Sequence, residues 1–65
     1  MTKEEIYNKA NNVLGLGGMT VNERLYESGL MEVFDKAKKN DKDLAKIILE
    51  AIRVDQPSIK KILKL

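Results

Sequence analysis

Thr20-Val21-Asn22-Glu23-Arg24-Leu25-Tyr26-Glu27-Ser28-Gly29-Leu30-Met31-Glu32-Val33-Phe34-Asp35 and, after a basic connection, Leu44-Ala45-Lys46-Ile47-Ile48-Leu49-Glu50-Ala51-Ile52 decide the fold. Thr20 with Glu23 three residues later forms a capping box, in which each side chain satisfies the other residue's backbone N–H. Leu25, Gly29, Leu30, Val33, Phe34 and Ala37 follow at helical spacing. The apolar face they make spans roughly 180°, which implies neighbours on two sides. Gly29 either spaces a close helix approach or marks a kink or break. Because the apolar phase is the same on both sides of it, the spacing predicts one helix over 21–39 with Met31 on its outer face.

Lys39-Asn40-Asp41-Lys42 is the connection: Asn40 tolerates the left-handed position that ends a helix, and Asp41 caps the next. So short a loop makes the flanking helices antiparallel neighbours. The following segment, 42–53, carries apolar residues over an arc of roughly 200° and is expected to be the most buried element.

Outward from this hairpin, Thr2 and Glu5 form a second capping box and start a helix expected over 3–14. Its apolar residues Ile6, Tyr7, Ala10, Val13 and Leu14 cover roughly 120°, as in a helix packed on one side only. Gly15-Leu16-Gly17-Gly18 reads as a joint that lets this helix fold onto its own hairpin or swap to a second copy. On the other side, Asp55 caps and Pro57 opens a last helix over 57–64, with Ile59, Ile62 and Leu63 opposite Lys60, Lys61 and Lys64. The expected fold is all-α: one four-helix domain spanning 1–65, divided into 1–18, 19–53 and 54–65.

A chain of 65 residues buries only about 60% of its unfolded surface, so its core is marginal and needs regular packing, a staple or a partner. Cysteine and histidine are both absent, which removes disulfides and the usual zinc ligands. With no signal-peptide pattern and no apolar run near the roughly 20 residues of a membrane span, a cytoplasmic protein is the expectation. The net charge of +2 is unevenly spread, residues 1–32 carrying −2 and residues 33–65 carrying +4. Such polarity suits head-to-tail pairing or an acidic partner.

Met19-Thr20-Val21-Asn22-Glu23-Arg24-Leu25-Tyr26 followed by Gly29-Leu30-Met31-Glu32-Val33-Phe34-Asp35 resembles a stretch shared by a group of very short bacterial proteins of unassigned function. The resemblance covers about half the chain and implies a small helical domain in a bacterial or phage-related setting; it implies no activity. The helix expected before Met19 departs from that pattern, and the aromatic tail that the resemblance leads one to expect is not among residues 1–65.

Catalysis is not expected. General acid–base work falls mostly to histidine, and nucleophilic catalysis to Cys or a His-activated Ser, and none of these sets can be built here. The paired carboxylates Glu4/Glu5 and Asp41/Asp43 sit at helix starts, where they serve as caps and dipole partners. No cofactor, metal or small-molecule substrate is implied. The glycines of 15–18 precede a helix but match neither dinucleotide nor P-loop spacing.

Three binding readings remain. A helix-turn-helix would use 42–53, the Val54–Gln56 turn and the last helix, with Lys60, Lys61 and Lys64 on phosphates; no Arg, Asn or Gln within 57–64 reads bases. Membrane-surface binding by 59–65 lacks area and an aromatic anchor. A protein-interaction module fits best, because helices 2 and 3 have wider apolar arcs than one antiparallel contact uses, and self-association as a C₂ homodimer is expected. Arg24, Met31, Lys60, Lys61 and Lys64 are the candidate partner or phosphate contacts.

Overall fold

Four short polar side chains set where the helices begin. The Thr2, Thr20, Asp41 and Asp55 side-chain oxygens accept from the backbone N–H of Glu5, Glu23, Leu44 and Ser58 respectively at 3.1–3.2 Å, each residue serving the N–H three positions on. The computed structural model describes residues 1–65 and is all-helical. In order the elements are α1 (Lys3–Asn11), a 3-10 turn (Leu16–Gly18), α2 (Val21–Ser28), α3 (Met31–Asn40), α4 (Lys42–Ala51) and α5 (Gln56–Leu63).

The expected continuous helix over 21–39 is two helices, so the domain has five rather than four. Gly29 adopts φ +74°, the left-handed conformation that ends a helix. Its N–H donates to Tyr26 O at 3.1 Å and the Leu30 N–H donates to Leu25 O at 3.0 Å, which satisfies carbonyls the broken helix would leave open. Leu25 and Leu30 both sit in the core, supplying the apolar contact that accompanies this stop.

The same stop recurs without glycine. Arg53 has φ +65°, with its N–H on Glu50 O and the Val54 N–H on Leu49 O, both at 3.0 Å, so α4 ends at Ala51 and not at 53. Lys64 (φ +57°) closes α5 in turn. Asn40, expected to be left-handed, stays inside α3; Asp41 alone is the connection, capping one helix and ending the other. The first helix stops at Asn11, three residues short of the expected end. Beyond it Leu14 is 88% exposed instead of lying on an apolar face, while Leu16 is buried by the 3-10 turn.

α4 is the centre of the domain. It packs on α1, α3 and α5, and α2 packs on α3. Ile48, Leu49 and Ile52 are fully buried, each worth about 1.5–3 kcal/mol of transfer free energy. Ile6 and Ala10 join them from α1, which therefore folds onto its own chain. The broad apolar arc of α4 is covered within one copy. No helix is long and apolar enough to cross a membrane.

Candidate functional site

Of the five candidate contact residues, Arg24 has an internal task. From α2 its Nε donates to Met19 O at 3.1 Å, and its Nη1 donates to Ile52 O at 3.2 Å and Arg53 O at 3.1 Å. One guanidinium thus joins the start of α2 to the C-terminal end of α4, where open carbonyls and the helix dipole both favour a cation. Its fork of donors suits several carbonyls at once, which an ammonium does not match.

Met31 is also drawn inward. As the first residue of α3 it is half-buried and packed against the core, because the break at Gly29 turns it away from the outer face of α2. Lys60 and Lys61 are exposed on α5, and Lys64 is exposed at its end.

Lys64 belongs to a larger set. With Lys38, Lys39 and Lys42 it rims a groove of about 560 Å³ whose apolar lining is Ile62 and Leu63 and whose one carboxylate is Asp35. The last turn of α3, the Asp41 corner and the end of α5 bring these residues together. Next to it, Val21, Leu25, Phe34 and Ile62 line a second groove of about 460 Å³, with Thr20 and Asn22 at its edge. Lys38 and Ile62 line both. Tyr26, 75% exposed, follows Asn22 by one helical turn on α2. The sequence pattern places Lys38 on the outer face of a helix and Lys39 and Lys42 in a connection; their clustering with a residue of α5 has no local signal.

The other readings meet geometry of their own. The N-terminus of α2 after the glycine joint is occupied by Glu23, whose carboxylate accepts from the Thr20 N–H at 2.9 Å. Those Thr20 hydrogen bonds hold the Glu23 carboxyl below the usual carboxylate range. An anion there would meet a carboxylate already seated.

At the start of α5, Gln56 is the first helical residue, which adds a base-reading side chain that the expected 57–64 boundary left out. Its amide, however, donates to Glu50 Oε2 at 2.9 Å, and the neighbouring Asp55 accepts from the Ser58 N–H and Oγ. Those Ser58 hydrogen bonds lower the Asp55 pKa, with a smaller contribution from the nearby Arg24. The end of α5 that a helix-turn-helix would insert is therefore acidic, and the basic end is the opposite one. The apolar stripe of α5 is likewise spent mostly on the core, Ile59 and Leu63 being buried and Ile62 alone half-exposed, which is too little for a lipid surface.

No three His, Cys, Asp or Glu side chains come together as metal ligands. The chain matched no protein-family model, no curated protein and no solved structure.

Proposed function

We propose that this chain is a small, non-enzymatic helical protein-interaction module whose partner contacts lie on the face made by α2, α3 and α5. The observation that carries the reading is the pair of adjoining grooves that share Lys38 and Ile62, one rimmed by lysines and the other lined by apolar side chains. Interfaces combine an apolar centre with a polar rim and favour exposed aromatics such as Tyr26. A second copy is not needed to cover α4, since α1, α3 and α5 do so in one chain. A homodimer through the groove face is an alternative occupant. Sedimentation across micromolar concentrations separates the two.

The experiment is site-specific photo-crosslinking in cells, with the probe at Tyr26 or Lys38 and a control probe at Lys3 on α1. A discrete protein adduct from Tyr26 and Lys38 but not from Lys3 is expected. Failure of every position to capture protein overturns the reading.

Nucleic-acid binding is the second reading, favoured by the four-residue turn between α4 and α5, by Gln56 inside α5 and by exposed Lys60, Lys61 and Lys64. Asp55 at the start of α5 and Glu50 of α4, which holds the Gln56 amide, weigh against it. Retention of duplex DNA by the native chain that Lys60→Glu/Lys61→Glu abolishes would favour it over the module.

A further inference from the structure

We infer that the paired grooves take an acidic amphipathic segment of a partner protein, its carboxylates on the lysine rim and its apolar side chains on the half-exposed Val21 and Ile62. This rests on the interaction-module reading and names the chemistry of the partner.

The rim gathers four ammonium groups, Lys38, Lys39, Lys42 and Lys64, against the single carboxylate of Asp35. Four cations on one rim attract an anionic partner and steer it toward the site. Part of the gathering has an intrahelical cause: Lys38 and Lys39 lie in the last turn of α3 and Lys64 just past α5, where cations meet the negative ends of helix dipoles. Lys42 has no such reason. It stands in the first turn of α4, where a cation is disfavoured, and it faces the same groove.

The floor selects among anions. A phosphate or a nucleic-acid backbone would satisfy the lysines but leave the half-exposed apolar side chains of Val21 and Ile62 uncovered. A single small anion would also leave the second groove empty. A helical segment with carboxylates on one flank and Leu or Phe on its inner face fills both, in the manner of a helix laid in a groove.

Fluorescence anisotropy with the full chain tests this. The probe is a labelled peptide of about four helical turns, with Glu and Asp on one flank and Leu and Phe at helical spacing. One comparison peptide has the same charge with Ser at every apolar position, and a labelled DNA duplex is the second comparison. The amphipathic peptide is expected to bind, to weaken as salt rises, and to bind at least about tenfold less well to Lys38→Glu/Lys42→Glu. Lys3→Glu/Lys9→Glu is expected to change nothing, with circular dichroism confirming the fold of each variant.

Equal binding of the serine peptide, tighter binding of the duplex with the same lysine dependence, or no binding of the amphipathic peptide would each overturn the inference. A crosslinked partner that lacks an acidic segment, or that is captured equally by Lys38→Glu/Lys42→Glu with the probe at Tyr26, would overturn it while leaving the module reading in place. Loss of all crosslinking in the native chain removes the module reading itself.

Discussion

Arg24 donates from Nη1 to the backbone carbonyl of Arg53 at 3.1 Å, so two like-charged residues 29 positions apart are joined through a cation and a main-chain oxygen. The bond holds in place a residue whose φ of +65° is costly for any side chain but glycine.

Removing Arg24 should therefore cost more than a surface charge does. Arg24→Ala is expected to lower stability by about 1–3 kcal/mol, the range for hydrogen bonds from a charged donor. Arg24→Lys is expected to restore little of it, because one ammonium cannot span the Met19, Ile52 and Arg53 carbonyls. Urea denaturation of the three proteins checks this, and full recovery with lysine would contradict it.

The two helix stops make a reciprocal pair. Arg53→Gly is expected to stabilise by about 0.5–1 kcal/mol, since the strain of the left-handed position outweighs the added freedom of the unfolded chain. Gly29→Ala is expected to destabilise by about 1–2 kcal/mol. Only Lys9 Nζ, at 3.9 Å, lies near the new methyl, so the loss comes from backbone strain and not from a clash. Thermal melts of both variants give the signs directly.

Acid should weaken the domain through its caps. Hydrogen bonds from Thr2, Thr20 and Ser58 hold Glu5, Glu23 and Asp55 below their ordinary carboxylate pKa values. Folded-state values lower than the unfolded ones mean that the unfolded chain binds more protons, so stability rises with pH in that window. The contribution is complete above the unfolded values of about 4 and is lost as pH falls through the lower folded values. Glu23→Gln keeps a capping-box acceptor without a charge to titrate. It is expected to lower neutral-pH stability by the part that ionisation of Glu23 supplies, to approach the native chain at low pH, and so to flatten the acid limb of a stability–pH curve; an unaltered slope would contradict the assignment.

The core substitutions should separate sharply. Ile48→Ala, at a fully buried position of α4, is expected to cost about 2–5 kcal/mol. That is a large share of the roughly 3–10 kcal/mol a chain of this length commands, so the circular dichroism signal should fall well below native at ambient temperature. Leu14→Ser, at 88% exposure, is expected to stay within about 0.5 kcal/mol of the native chain.

Much of this domain was legible from local chemistry. The caps at Thr2, Thr20, Asp41 and Asp55 stand where the sequence places them, because each is a contact across three residues. The stop at Gly29 was ambiguous for a physical reason. Leu25 and Leu30 meet across the left-handed turn, so the apolar rhythm passes through a break without a visible slip. Met31 was misplaced by the same continuity. The Arg24 bonds to Ile52 and Arg53 span 28 and 29 residues, and the groove unites the end of α3 with the end of α5. Neither leaves a trace in spacing or composition.

Asp41 carries a consequence for how the chain can change. Its N–H closes α3 on Ala37 O at 2.7 Å, its carbonyl accepts from the Ala45 N–H at 3.0 Å, and its carboxylate caps Leu44. One residue thus ends one helix and begins the next, with nothing spare between them. An inserted or deleted residue here would rotate α4 by about 100° against α3 and turn its buried face outward. Exposed positions without a capping or turn role take substitution, but this corner does not take a change of length.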